Sequence, residues 1–101
     1  ACVELARKAE LMKLDSALHV WGSAVAIAAN AQVALAAPSI DILEIPMVSL
    51  EINRHMWVSQ PKTNNGVWEA TGEPGLGVVL DDEIIRKYPF QPGSGYRLEK
   101  K

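Results

Sequence analysis

Apolar and polar positions follow three different rhythms over residues 1–46. Val3, Leu5, Ala6, Ala9 and Met12 recur among Glu4, Arg7, Lys8 and Glu10, the spacing of an amphipathic helix over Val3 to Met12. No capping residue precedes that helix, so the chain is expected to begin inside it, at a cut end. Lys13 to His19 is too short for another helix and suits a buried strand ending at His19. From Val20 to Ile40 no charged residue occurs. Gly22 and Ser23 mark a turn, with Ser23 placed as an N-cap. Ala24 to Ala37 are then strong helix formers with almost no polar face. Pro38 cannot continue that helix, and Asp41 to Ile45 form a second strand closed by Pro46. Strand, helix, strand is a βαβ unit, because two parallel strands need a crossover between them. Reactive groups in such folds gather at the carboxyl ends of the strands, and His19 and Glu44 both fall there.

The pattern changes after Pro46. Met47 to Pro61 shows no assignable period. Lys62-Thr63-Asn64-Asn65-Gly66 is a turn signal, since Asn-Gly tolerates the positive φ of a tight turn, after which Val67 and Trp68 begin a short strand. Thr71 to Gly77 reads as a loop leading to Val78-Val79-Leu80. Asp81 is placed to cap a helix over Asp82 to Tyr88, which Pro89 stops. Gln91 to Lys101 is expected as an exposed tail.

Composition changes this picture in one respect. Apolar residues make up 49% and charged residues 22% of the 101 positions, an ordinary globular balance. A helix that wants burial on nearly every side sits awkwardly in so short a chain, since a domain of this size hides only roughly 60 to 65% of its unfolded surface. The chain is therefore expected to be part of something larger. A net charge of -2 supplies no basic field for nucleic acid or an anionic membrane. The uncharged run is long enough to raise a membrane span, which needs about 20 apolar residues. Ser23, Asn30, Gln32 and Pro38 interrupt it, and no basic cluster flanks it, so neither a span nor a signal peptide is expected. Cys2 is the only cysteine, which excludes an intrachain disulfide and agrees with an expected cytoplasmic location.

Candidate chemistry is sparse. His19 carries an imidazole, the side chain suited to proton transfer near neutrality, although a structural histidine also fits its position. Glu44 is either a functional carboxylate or a solvated strand-end residue. Trp21 stands where it lines a substrate pocket or packs beside the apolar helix. Gly75 and Gly77 read as a structural turn, lacking the lysine and preceding strand of a phosphate loop. His55 lies in an unrelated segment, and no Cys or Asp completes a metal site with His19.

His19-Val20-Trp21-Gly22-Ser23-Ala24, then Leu43-Glu44, Gly66-Val67, Pro74-Gly75-Leu76-Gly77-Val78 and Leu80-Asp81, together resemble the carboxyl-terminal part of the enolase superfamily. The likeness is greatest to the mandelate racemase branch and its acid-sugar dehydratases, and it covers Ala1 to about Tyr88. It implies an α/β fold, the C-terminal portion of a modified (β/α) TIM-type barrel. Residues 1–46 would be its last helix-strand-helix-strand units, and residues 47–101 a C-terminal segment packing back toward an α+β capping domain. Val3 to Met12 is similar to the sixth barrel helix, Leu14 to His19 to the seventh strand and Asp41 to Ile45 to the eighth.

The activity implied is Mg²⁺-dependent removal of the proton α to a carboxylate, followed in the dehydratases by loss of a β-hydroxyl group. Racemases, epimerases and lactonizing enzymes belong to the same superfamily. By resemblance His19 is the base, or the acid assisting hydroxyl loss. Glu44, kept protonated by burial, would donate a hydrogen bond to the substrate carboxylate, and Trp21 would contact substrate. The metal-binding carboxylates belong to the third, fourth and fifth strands and the Asp orienting the imidazole to the sixth, all outside this chain. No metal ligand is expected here, and the isolated chain is expected to be inactive. The long span between His19 and Glu44 departs from the mandelate racemase type toward the sugar-acid dehydratases. Implied partners are the rest of the barrel, the capping domain, a small carboxylate substrate and further copies of the complete enzyme in a homo-oligomer. A reading of another class is a non-catalytic α/β module that docks a partner through its apolar helix.

Overall fold

In the computed structural model, residues 1–46, 50–70 and 72–93 are described. Helix α1 spans Cys2–Leu11, where the 3.6-residue spacing predicts it. It closes in a left-handed turn at Lys13, φ 57°. The Lys13 N–H donates to Glu10 O and the Leu14 N–H to Ala9 O, both at 2.9 Å. Those two bonds define a Schellman motif, which glycine most often closes. A side chain there carries a left-handed backbone at a cost of roughly 1 to 2 kcal/mol.

Strand β1 (Ser16–His19), helix α2 (Ala24–Leu35) and strand β2 (Ile40–Glu44) follow. The two strands pair in parallel, so α2 is the crossover that the alternation predicts. Their register shifts once: Ser16 faces Ile40, whereas Ala17 faces Ile42, Leu18 faces Leu43 and His19 faces Glu44. Asp41 is the residue absorbed at that irregularity, a bulge at the base of the sheet.

Ala24, Ile27, Ala28 and Ala31 are the buried residues of α2, a single stripe at i, i+3, i+4 and i+7. The sequence predicts burial on nearly all sides, yet Leu35 is 61% exposed, because β2 and α3 (Glu51–Met56) are the elements that pack closely on the helix. One apolar cluster gathers Ala6, Ala37 and Ile40 with Leu18 and Val33, where the buried Ser39 hydroxyl also donates to Ala6 O at 2.8 Å. A second joins Ala24 to Met56 and Ile84, with Ile52, Trp57 and Tyr88 around them.

The start of α2 differs from expectation. Ser23 makes no side-chain cap. The Ala24 N–H instead donates to Asn53 Oδ1 at 2.8 Å, and Asn53 Nδ2 donates to Gly22 O at 3.3 Å. Thus α3 supplies the cap for a helix that begins 29 positions earlier. Gly22 takes φ +146°, and a Cβ there would lie 3.3 Å from the Ala26 Cβ, so both conformation and space favour glycine.

Beyond α3 the chain forms the hairpin β3 (Lys62–Asn64) and β4 (Val67–Glu69). Asn65 and Gly66 at its tip have φ 49° and 79°, the paired positive values of the tight turn expected there. Trp57 bridges Val78 in antiparallel fashion, tying α3 to the glycine-rich loop. Helix α4 (Asp82–Lys87) is capped as predicted, with the Ile84 N–H donating to Asp81 Oδ1 at 2.7 Å. The tail expected over Gln91 to Lys101 lies, beyond Gly93, outside the described residues, as do Met47, Val48, Ser49 and Thr71.

Lys87 Nζ approaches Glu51 Oε1 at 3.3 Å and links α4 to α3. Among the described residues the sealed Tyr88 hydroxyl has no partner at ordinary hydrogen-bond geometry. Its proximity is nonetheless the first cause, and Lys87 the second, that holds the Glu51 carboxyl below the usual carboxylate range. Tyr88 first and Glu51 next raise Lys87 above the usual lysine range.

Three outcomes follow from this packing. Lys13→Gly relieves the left-handed turn and should stabilise the protein by about 1 kcal/mol, read as a higher thermal midpoint; an unchanged or lower midpoint would contradict the motif. Asn53→Ala removes both bonds at the start of α2 and should cost about 1 to 2 kcal/mol in chemical denaturation. The Glu51 contribution, from a lowered pKa, is present above the ordinary carboxylate range and lost as pH falls through the lowered value; that of Lys87, from a raised pKa, is present below the ordinary lysine range and lost as pH rises. The melting difference between the protein and Glu51→Gln should therefore persist at neutral pH and vanish in strong acid. A difference that grows in acid would refute the pairing.

Candidate active site

Parallel pairing brings the two strands to a common carboxyl edge, and the register shift makes His19 and Glu44 direct neighbours on it. Strand alternation sends Leu18 and Leu43, both half-buried, to one side of the sheet. Ala17 and His19 of β1 and Ile42 and Glu44 of β2 are exposed. His19 Nδ1 stands 2.6 Å from Glu44 Oε2. That is shorter than the roughly 2.7 to 2.9 Å usual for a charge-assisted N–H···O hydrogen bond.

The pair is open to water, with the His19 side chain 75% and the Glu44 side chain 56% exposed. An ion pair in such surroundings adds little to stability, so its consequence is geometric. The burial that would keep Glu44 protonated is not provided by the described residues. Trp21 follows two positions after His19, beyond the fully buried Val20, and is 61% exposed. It makes no hydrogen bond or ring contact with the pair among the described residues. The structure thus joins two of the three residues singled out from the sequence and leaves the third alongside, facing solvent.

His55 is in α3, its Nε2 4.0 Å from Glu51 Oε1 and its ring 6.3 Å from that of Tyr88. It belongs to the α3–α4 contact and not to the strand edge. Among the described residues no three His, Cys, Asp or Glu side chains come together as metal ligands. Mg²⁺ demands near-octahedral oxygen coordination, whereas the strand edge offers one carboxylate already engaged by an imidazole. These residues do not fit a Mg²⁺ site by themselves. A cleft of about 290 Å³ between α2, β2 and the hairpin is lined by Leu35, Leu43, Val67 and Trp68 among others. His19 and Glu44 do not line it, and it stands apart from the candidate chemistry.

Asn53 is the residue with a part in the site that sequence reasoning does not reach. Its two bonds hold the loop leaving His19, and no local spacing signals a cap delivered from so far along the chain. No described helix is long and apolar enough to cross a membrane.

The chain is 34% identical over 88 residues to a D-galactonate dehydratase family member of Streptomyces sp. (strain SPB78), covering 85% of this chain and 20% of that protein. It is 35% identical over 74 residues to a D-galactonate dehydratase family member of Streptomyces bingchenggensis (strain BCW-1), covering 69% and 17% respectively. The chain therefore spans about a fifth of the length of the curated relatives it matches. No solved structure matches it. The family described as enolase C-terminal domain-like matches residues 1–84. With that match running through both parallel strands, their crossover helix and the hairpin, the chain belongs to the enolase C-terminal domain-like family.

Proposed function

We propose that the chain forms the closing part of the barrel of an acid-sugar dehydratase, with residues 1–46 as barrel units and residues 47–101 returning toward a capping domain. The observation that carries this reading is the imidazole–carboxylate pair at the carboxyl ends of adjacent parallel strands. Relatives named as D-galactonate dehydratase family members support the substrate class. The exposed Leu5, Leu11 and Ile42, and strands β1 and β2 each paired on one edge among the described residues, fit a sheet that continues into further barrel strands.

A carbon acid gives up its proton slowly, so a base must be held in contact and the enediolate charge must meet donors already in place. His19 is the group here suited to that exchange, either taking the α-proton or giving a proton to the departing β-hydroxyl, which leaves as water. Glu44 stands beside it as the carboxylate of the site, and Trp21 bounds the substrate side. Mg²⁺, when bound by carboxylates from elsewhere in the enzyme, would supply charge stabilisation; no step by this chain's residues runs through it.

His19→Asn in the complete enzyme should lower kcat for an aldonic or aldaric acid by about 10² to 10⁴. The assay follows the 2-keto acid product, with circular dichroism confirming an intact fold. A folded variant that retains full turnover would sink the assignment.

A further inference from the structure

We propose that Asn53 is a positioning residue for Trp21: the bond from its Nδ2 to the Gly22 carbonyl fixes the turn between β1 and α2, and with it the place of the indole against which an acid sugar is seated. The inference rests on the dehydratase reading, and it goes beyond the helix cap that the same side chain supplies.

The turn is pinned at both ends. Val20 is fully buried, which holds the backbone just after His19, and α2 begins at Ala24, whose N–H donates to Asn53 Oδ1 at 2.8 Å. Trp21, Gly22 and Ser23 lie between these pins. Ser23 makes no cap of its own, and Gly22 takes φ +146°, a backbone conformation that glycine adopts at little cost. The carbonyl of that glycine, next in the chain after Trp21, accepts from Asn53 Nδ2 at 3.3 Å. No other side chain bonds to the turn among the described residues. Trp21 is exposed and has no hydrogen bond or ring contact of its own among the described residues, so the backbone beneath it decides where the indole stands. Asn53 also lines a cleft of about 160 Å³ with Ile45 and Pro46, the residues that follow Glu44, which puts the anchor beside the carboxyl ends of both strands.

The two ends of the amide serve different purposes. An aspartate caps a helix about as well as an asparagine, and its charge suits a helix N-terminus, so the Oδ1 bond alone does not call for an amide. The Nδ2 bond does, because a carboxylate has no hydrogen to offer and would set one acceptor against another at Gly22 O. A turn released there leaves the indole to be ordered when substrate binds, a cost that weakens binding while the helix still starts at Ala24.

The test uses the complete enzyme labelled with 5-fluorotryptophan, the Trp21 and Trp68 fluorine signals being identified by their loss in Trp21→Phe and Trp68→Phe. Asn53→Asp should melt near the parent, move the Trp21 signal and leave that of Trp68, in the hairpin, unchanged. Its KM for an aldonic or aldaric acid should rise roughly 2- to 10-fold, with a smaller fall in kcat. Asn53→Ala, which loses the cap as well, should show the same movement at a lower melting temperature. A Trp21 signal unmoved in Asn53→Asp overturns the proposal, as does an unchanged KM in an enzyme that His19→Asn inactivates. If Asn53→Asp melts as low as Asn53→Ala, the cap is lost too, and a Trp21 signal that moves no further than that of Trp68 is then the overturning result. A Trp21 signal that moves while Asn53→Asp and His19→Asn both retain full turnover upholds the anchor and overturns the dehydratase reading instead.

Discussion

The two hydrogen bonds of Asn53 hold the N-terminal βαβ unit to the segment that follows it. A helix begins with N–H groups that have no partner of their own, and α2, with Ser23 unused as a cap, begins against the side chain of another helix. The same amide grips Gly22 O, so one residue fixes both where α2 starts and how the chain leaves β1. Everything after that depends on it: the helix must start there to lay Ala24 against Met56 and Ile84, and the loop must leave there for His19 to end its strand beside Glu44.

Stability and the proposed function draw on different features of this chain. Its cores are small and made largely of alanine and a few branched residues on either end of α2, while the His19–Glu44 pair sits in water. In such a setting Coulomb attraction is weak and screened. The pair acquires its full electrostatic worth only when water is excluded around it, which is what closure of a surrounding barrel and cap would do in the proposed enzyme.

Much of the fold was legible because it is written locally. An uncharged alanine-rich run between two short apolar segments specifies a crossover helix between parallel strands, Asn65-Gly66 specifies a tight turn, and Asp81 specifies a cap, each through neighbours a few positions apart. The features that escaped are those set by partners distant in sequence. Helix α3 has six residues, less than two full turns, too few for a period to declare itself. Asn53 looks like any polar residue until the helix it caps is packed against it. The exposure of Leu35 depends on which neighbours are present, which apolar periodicity does not reveal. At the site, the strand-end positions of His19 and Glu44 were readable, whereas their contact was not, since it depends on an irregularity in register that leaves no pattern of its own.

That irregularity bears on how the chain tolerates change over evolutionary time. From Ser16 to His19 and from Ile40 to Glu44 the strands differ by one residue, and the bulge at Asp41 takes up the difference, so that the tips end flush. Insertions in the α2 crossover lengthen a connection without touching the count from bulge to tip. A residue gained or lost above the bulge, by contrast, would turn every later side chain of β2 to the opposite face and set an apolar residue beside the imidazole. Length variation is therefore absorbed at the foot of the sheet, and the few residues above it form a ruler that drift cannot lengthen without dismantling the pair.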